Sequence, residues 1–332
     1  MIVDCAMELS AADVISRFRR WVAVALGVTV LGFAAYALFT GYHETAAELE
    51  GFRWGLYVPV LLLTLVNYGS RYAKWAWLLK KVDIDVPHET NAWVFLCGLA
   101  MVISPGKVGE VLKPWLIRAL VGAPYERTVP ALIAERGTDG LAVLILAAMG
   151  VSTYMADGVK LVAGTGIASA LFLALVASQT ASMALIGLVR RVGFAAIADR
   201  LTDTYRALRV CLSPGSLFAL TGVSLVAWWA ECLGYWLVFR GLDVKASIGA
   251  CTFLYSFATV FGGPSPGGLG MADGVLIGGA LTAVPDLTHG QALAAALLIR
   301  IATLWFGVLL GAFALFRIEH VIAQFKARQV AT

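Results

Sequence analysis

Two short polar stretches share the tripeptide Ser-Pro-Gly and are the residues best suited to bind an anion. The first begins at Ser104 (Ser-Pro-Gly-Lys-Val-Gly-Glu), and the second begins 161 positions later at Ser265 (Ser-Pro-Gly-Gly-Leu-Gly). Serine can cap a helix start and proline fits the first helical position, so each stretch predicts a loop that opens a half-helix. The amino end of a helix carries partial positive charge and unpaired N–H donors. The expected chemistry is therefore recognition of an anionic group such as a phosphate.

Ionisable residues gather around these two stretches, inside segments that are otherwise apolar. Each costs about 2.5–3.5 kcal/mol to insert, so a cluster of them needs a reason. They could simply pair with one another or reach the membrane interface, and we favour that for isolated residues such as Glu231 and Lys74. We expect the clustered charges and the serines and glycines of both turns to bind or order a headgroup. These residues are Arg71, Ser104, Gly106, Lys107, Gly109, Glu110, Lys113, Glu135, Arg136, Asp139, Ser265, Gly267, Gly268, Gly270, Asp273 and Arg300.

The remaining chemistry-bearing residues give little support for an enzyme. The five cysteines lack CxxC spacing, the four histidines lie apart, and the glycine-rich run at 262–270 has no Walker lysine, so we expect no metal and no cofactor. A membrane-embedded lipid-modifying transferase stays open as an alternative, and it would have to use Glu110, Glu135 and Asp139. A secondary transporter of a small soluble anion is a second alternative.

Composition places the chain in a membrane. Hydrophobic residues make up 60% and charged residues 14% of the 332, with a mean hydropathy of +0.83. A soluble domain has about 45–50% apolar and about 25% charged residues. We predict an all-α polytopic protein with about six full spans, near 21–39, 56–79, 129–154, 161–189, 217–239 and 293–316. Two re-entrant half-helix pairs are expected at 91–103 with 111–120 and at 247–261 with 275–284, because each segment is too short to cross alone.

This arrangement reads as two inverted repeats, at about 21–155 and 161–316, within one integral domain over 1–332. The polar stretch 190–212 is the predicted cytoplasmic linker. Fifteen of the 25 Lys and Arg residues then lie on the side of the termini and four on the other side, which predicts cytoplasmic termini. The net charge of +4 fits an anionic leaflet, and we expect no nucleic acid partner. The two Ser-Pro-Gly turns should meet near the midplane of the membrane.

Three motifs in this sequence are similar to the signature stretches of one family, the lysylphosphatidylglycerol synthase transmembrane (flippase-like) domain. Pro105, Gly106, Gly109 and Glu110 match its Pro-Gly-x-x-Gly-Glu pattern. Glu-Arg-x-x-Asp is matched by Glu135, Arg136 and Asp139, and Asp273 stands near the place where many members carry a Glu. The likeness runs from about residue 20 to 318.

The resemblance implies movement of an aminoacylated, isoprenoid-linked or other anionic lipid between the leaflets of a bacterial inner membrane. Synthetic activity in that family resides in a separate soluble aminoacyltransferase domain, which we expect this chain to lack. The expected partner is the membrane lipid itself. A lipid-biosynthesis enzyme and a second copy of the chain, as a homodimer, stay open as partners.

Overall fold

The computed structural model of the chain describes residues 42–154 and 159–331, together with Ser16, Arg20, Ala23, Val24 and Gly27. The first predicted span, at 21–39, lies outside the described residues apart from three of its positions. Within the described part of the chain, helices account for nearly all residues and no β-strand occurs. The all-α fold class expected from the composition is confirmed.

The first half of the described chain runs from a short helix to the pair of helices that flank the first Ser-Pro-Gly. Its helices are α1 (Tyr42–Glu50), α2 (Tyr57–Lys81), α3 (His88–Ala100), α4 (Leu112–Val121) and α5 (Tyr125–Ala148). Between α3 and α4 the chain forms two 3₁₀ segments, Met101–Ile103 and Pro105–Val111. Helix α4 ends because Gly122 adopts a left-handed conformation, φ 68°, and donates its N–H to the carbonyl of Arg118.

The second half contains a helical hairpin, followed by helices on both sides of the second Ser-Pro-Gly. Its helices are α6 (Val159–Ala177), α7 (Gln179–Arg191), α8 (Ala195–Cys211), α9 (Pro214–Gly241) and α10 (Ile248–Phe261). After the second Ser-Pro-Gly, α11 begins as Met271–Gly274, passes through a π-helical segment at Val275–Gly279 and ends as Ala280–Ala283. Helix α12 begins as His289–Arg300, passes through a second π-helical segment at Ile301–Trp305 and continues as Phe306–Ala331.

Among the described residues, two helices are long and apolar enough to cross a membrane on their own. They are Pro214–Gly241 and His289–Phe325. A third crossing would come from Val162–Ala177 with Gln179–Arg191, two helices that meet at an angle of 83°. Helix α2 has 25 residues, about 37 Å at 1.5 Å per residue, but it also carries buried Arg71 and Lys74. Long apolar helices of this kind are typical of a membrane protein.

The segment predicted as one span at 161–189 is not one continuous helix. Ser178 takes an extended conformation and its hydroxyl accepts the N–H of Ala181, so a new helix starts there.

The stretch 190–212, predicted as a polar linker, contains α8. Helix α8 packs against α5, and its buried Ala198, Tyr205 and Leu208 face the bundle.

The bundle contains two hydrophobic clusters. One joins the second half of α2 to α3, α4 and the second half of α12. The other joins the start of α2 to α5, α9, α10, α11 and the first half of α12. Helix α2 packs along α9, and α3 packs along α12, so the elements of the two halves are interleaved.

Matching backbone features recur in the two halves. Asp83 after α2 and Asp243 after α9, 160 positions apart, are both left-handed, with φ 57° and 60°. The residue after each aspartate, Ile84 or Val244, donates its N–H to the carbonyl five positions earlier, at 2.9–3.0 Å. The two long helices therefore end in the same way and lead into α3 and α10 at equivalent points.

Candidate functional site

The first Ser-Pro-Gly turn is held by its serine. The Ser104 hydroxyl donates to the carbonyl of Met101 and accepts the N–H of Gly109, both at 2.7 Å. Gly106 and Lys107 are left-handed, each with φ 58°. A lysine seldom adopts this conformation, so the surrounding contacts must hold Lys107 in place.

The second turn follows the same backbone path. Gly267 and Gly268 are left-handed, with φ 58° and 76°, at the positions that Gly106 and Lys107 occupy in the first turn. The N–H of Gly268 bonds the Ser265 carbonyl at 3.0 Å, as the N–H of Lys107 bonds the Ser104 carbonyl at 2.9 Å. After these four residues the turns diverge, because the 3₁₀ segment of the first continues to Val111 whereas Leu269 in the second is extended and Gly270 has φ 77°. The turns also differ in chemistry, because a lysine in one is a glycine in the other.

Neither turn opens directly into an α-helix, which differs from the half-helix start expected from the sequence. In both, proline begins a 3₁₀ segment, and the α-helix starts only at Leu112 or Met271. The left-handed residues after proline prevent a regular first turn. At the second helix start, the Asp273 carboxylate accepts the Gly270 N–H at 2.9 Å and so occupies one of the donors expected to be free.

The two turns meet, as the sequence predicts. The 3₁₀ segment at Pro105–Val111 contacts the one at Pro266–Gly268. Gly267 lies so close that a Cβ on it would sit 3.6 Å from the Ile103 Cα. Beside this contact is a cavity of about 90 Å³. Since one water needs roughly 10–15 Å³, it has room for several waters or a small polar group, and none for acyl chains.

Side chains from both halves line this cavity. Its charged lining consists of Arg71, Lys107, Glu231 and Arg300, and its aromatic lining of Tyr68, Trp228 and Tyr255. Backbone from the second turn, at Gly267 and Gly268, completes one wall. With three cations and one carboxylate, the lining carries a net positive charge, which suits an anionic ligand.

Arg300 is fixed at the second turn. Its Nη2 donates to the carbonyl of Gly267 at 2.7 Å, and its Nε lies 2.9 Å from Asp273 Oδ1. Because Arg300 is only 9% exposed, this pairing supplies the partner that a buried guanidinium needs. Arg300 therefore ties α12 to the turn and brings its positive charge to the cavity wall.

Lys107 and Glu231 are the least engaged charges in the cavity. Among the described residues neither forms an ion pair within 4 Å. The Lys107 ammonium lies 5.9 Å from the centre of the Trp228 ring, and the Trp228 Nε1 donor has no hydrogen-bond partner in the described part of the chain. The Glu231 carboxylate accepts one bond, from the Tyr255 hydroxyl at 2.7 Å. These are groups that a ligand can still satisfy.

A buried ion network lies next to the cavity, on α2, α4 and α5. Asp139 pairs with Lys74, with Arg71 at 3.7 Å and with Arg136 at 3.4 Å. Ser224 on α9 also donates to Asp139, at 2.9 Å. Lys74 further donates to the Glu135 carbonyl and to the hydroxyls of Thr138 and Ser224.

Glu135 extends this network to α4. Its two carboxylate oxygens bind Lys113 and Arg136, and the Lys113 ammonium also lies 4.3 Å from the Trp75 ring centre. Arg136 reaches Glu110 as well, at 3.1 Å, so its guanidinium contacts three carboxylates. Four cations and three carboxylates, from Arg71 to Asp139, are thereby matched to one another with little solvent access.

The predicted site residues thus fall into three places. In the cavity wall are Arg71, Lys107, Gly267, Gly268 and Arg300. In the ion network are Glu110, Lys113, Glu135, Arg136 and Asp139, with Arg71 belonging to both. The turns themselves or their helix starts contain Ser104, Gly106, Gly109, Ser265, Gly270 and Asp273.

Sequence reasoning did not select several residues that line the cavity. The sequence patterns do not single out Trp228, Tyr255 or Tyr68, and they favour a structural role for Glu231. The signal that could have found Glu231 is its place in the second half, because it lies 160 positions after Arg71, the same offset that separates Asp83 from Asp243.

The chain is similar to a known protein family over most of its length. The family model described as the lysylphosphatidylglycerol synthase TM region matches residues 20–311, which is most of the chain. A search of curated proteins found no significant match.

Proposed function

Because the chain belongs to the lysylphosphatidylglycerol synthase transmembrane family, we propose that it moves an anionic lipid between the two leaflets of the membrane. The substrate class we propose is an anionic, aminoacylated or isoprenoid-linked lipid, and the location is the bacterial inner membrane with both termini in the cytoplasm. The single observation that carries the proposal is the net positive cavity where the two Ser-Pro-Gly turns meet.

In this proposal the lipid headgroup enters the cavity from the side and its phosphate meets Lys107 and Arg300. Trp228 Nε1 offers an additional donor. Glu231 accepts a headgroup ammonium where the lipid carries one. The small volume of the cavity supports a role in binding only the headgroup, while the acyl chains stay in the bilayer.

In the proposal, the ion network stabilises the cavity wall and does not bind the lipid. Glu110, Glu135 and Asp139 keep Lys74, Lys113 and Arg136 ordered, so the wall that carries Arg71 stays in place when the cavity is empty. Each of these buried charges has an opposite partner, and breaking a buried pair typically costs about 3–5 kcal/mol. The network therefore supports a rigid first half.

We further propose that about six spans and two re-entrant pairs form two inverted repeats, which rock against each other to open the cavity alternately to either leaflet. The similar backbone path of the two turns over their first four residues supports a common origin for the halves. The proposed activity is transport and not enzymatic conversion, since the buried carboxylates of the network are all occupied by cations.

A leaflet-accessibility assay tests this function. Purified protein is placed in liposomes that contain trace lipid with a fluorophore on an acyl chain, and an impermeant reductant reports the outer fraction over time. We expect faster equilibration than in empty liposomes, and at least a tenfold slower rate for Lys107→Gln. Lys245→Gln, which removes the same charge from an exposed loop, is the matched control and should behave as the unmodified protein.

Two outcomes would overturn the proposal. Equal rates in protein-containing and empty liposomes, with well-folded protein, exclude lipid movement, and uptake of radiolabelled phosphate into the same vesicles would then identify a small-anion transporter. Recovery of a chemically altered lipid would instead identify a transferase.

A further inference from the structure

Helix α7 turns sharply away from the helix before it. Helix α6 has 19 residues, about 28 Å at 1.5 Å per residue, which already matches a hydrocarbon thickness of about 30 Å. The next helix leaves it at 83°. If α6 crosses the membrane, α7 must lie close to the membrane plane, and α8 runs back from it toward the start of α9.

The exposed residues of α7 and of the turn after it fit a membrane surface. Leu185, Leu188 and Val192 are 54–66% exposed and lie on one face of the helix, while Arg190 lies on the opposite face. Phe194, at the tip between α7 and α8, is 55% exposed. Helices with an apolar face and arginines on the polar face lie in the membrane interface. The hairpin α7–α8 carries five arginines and two aspartates.

Between the two helices and the end of α2 is an open basic groove of about 520 Å³. It is lined by three cations, Lys81, Arg206 and Arg209, with Gln179, Tyr205 and Ser213 among the other lining residues. No carboxylate belongs to this lining. Arg209 donates to the Gln179 side chain at 2.9 Å, which orients its guanidinium, and Arg206 keeps only a loose contact with Asp203 at 3.4 Å.

We propose that this groove binds the headgroup phosphate of an anionic phospholipid from the leaflet against which the hairpin lies, at a site separate from the central cavity. The apolar face of α7 enters the acyl boundary, which brings the groove to the depth of the phosphates. Arginine suits the occupant, because its planar guanidinium can bind two phosphate oxygens at once. Three cations with no acidic lining residue favour a headgroup with net negative charge over a zwitterionic one, whose phosphate is accompanied by an ammonium that finds no carboxylate in the groove.

Native mass spectrometry of the full-length protein tests lipid binding. The protein in detergent is titrated with phosphatidylglycerol, with phosphatidylcholine and with glycerol 3-phosphate. We expect retention of phosphatidylglycerol over phosphatidylcholine, and at least tenfold weaker retention at one site in Arg206→Gln/Arg209→Gln. The control Arg240→Gln/Lys245→Gln removes two charges elsewhere and should bind normally. Lys107→Gln should weaken retention in the central cavity and leave the groove site unchanged.

Equal phosphatidylglycerol retention by the groove variant and the control would overturn the proposal. So would displacement of the lipid by millimolar glycerol 3-phosphate, because the groove would then recognise a soluble anion. If Lys107→Gln lost phosphatidylglycerol retention while the groove variant kept it, the bound lipid would be assigned to the central cavity alone. The outcome for the groove is therefore independent of the transport assay.

Spin labels test the position of the hairpin. The four described cysteines are buried and should not react with a spin label. In a Cys5→Ser background, the label should therefore attach to a cysteine introduced at the surface. In vesicles of phosphatidylglycerol and phosphatidylcholine, a label at Leu188→Cys should be relaxed by oxygen, and one at Arg190→Cys by a water-soluble nickel complex. Relaxation of both labels by the nickel complex alone would place the hairpin in water and overturn the proposal.

Discussion

Arg71 and Glu231 occupy equivalent positions in two matching helices and face the same cavity. Each lies twelve residues before a left-handed aspartate, Asp83 for Arg71 and Asp243 for Glu231. The two halves of the chain thus present opposite charges at corresponding places. Arg71 is held 3.7 Å from Asp139, whereas in the described part of the chain the Glu231 carboxylate is bound by the Tyr255 hydroxyl alone. At these two positions the spacing along the chain matches while the chemistry differs.

This asymmetry predicts different selectivity defects. Arg71→Gln should slow the movement of every anionic lipid, because it removes a cation from the wall. Glu231→Gln should slow only lipids whose headgroup carries an ammonium, at least tenfold, and leave phosphatidylglycerol near the original rate. The leaflet-accessibility assay with acyl-labelled phosphatidylglycerol and its lysyl ester measures both. A uniform effect of Glu231→Gln on the two lipids would contradict the assigned role.

The Lys113–Glu135 pair should behave as a coupled unit. Lys113 is 1% exposed and Glu135 is fully buried. Removing Glu135 leaves the Lys113 ammonium without its carboxylate, and removing Lys113 leaves Glu135 with Arg136 alone, so each change should cost about 3–5 kcal/mol. Lys113→Met together with Glu135→Gln should cost clearly less than the sum of the two. Thermal unfolding of the purified protein in detergent gives the double-mutant cycle. Additive losses would show that the pair is not coupled.

Gly98 leaves room for the Lys113 side chain. A Cβ at this position would lie 2.8 Å from Lys113 Cδ and 2.9 Å from Cγ, and Lys113 cannot move aside while Glu135 holds its ammonium. Gly98→Ala should therefore lower stability by about 1–3 kcal/mol. Gly69→Ala is the matched control, since no atom lies within 4 Å of its added Cβ. It should be neutral or slightly stabilising, because alanine favours a helix. Unfolding midpoints compare the two, and equal midpoints would exclude the predicted clash.

Arg300→Lys tests whether holding the second Ser-Pro-Gly turn requires the guanidinium group or only a positive charge. Lysine has one ammonium and cannot reach both Asp273 and the Gly267 carbonyl with the same geometry. We expect faster amide exchange at residues 267–270, with unchanged exchange in α7 and α8, and slower lipid movement. Hydrogen-exchange mass spectrometry measures the first effect. Exchange at 267–270 equal to that of the unmodified protein would show that Arg300 does not hold the turn.

Much of the fold and part of the site could be predicted from the sequence. The repeated Ser-Pro-Gly and the short apolar segments around it predicted two turns that meet, and the positions of Glu135, Arg136 and Asp139 on one helix predicted a buried cluster. These signals are local or depend on simple spacing. The break at Ser178 was missed because an apolar run on either side of a serine looks like one long helix.

Pairing among the charges could not be predicted. The sequence placed Arg136 and Lys107 together as phosphate ligands, but Arg136 contacts three carboxylates and Lys107 lies in the cavity near Trp228. A cation is available to a ligand only if no carboxylate on a neighbouring helix reaches it. Those contacts run between α2, α4 and α5, and the spacing of residues within one helix does not reveal them. The same holds for Tyr255, whose role depends on its contact with Glu231 on another helix.

The two π-helical segments, Val275–Gly279 and Ile301–Trp305, both belong to the half that contains the second turn. A π segment carries one extra residue in its turn, and passing that residue along the helix rotates the side chains beyond it without breaking the helix. The described helices of the first half contain no such segment, and the buried ion network between α2, α4 and α5 holds them together. In the proposed rocking of the two halves, α11 and α12 would then supply the movement while the first half stays in place, so that one moving wall opens the cavity to either leaflet.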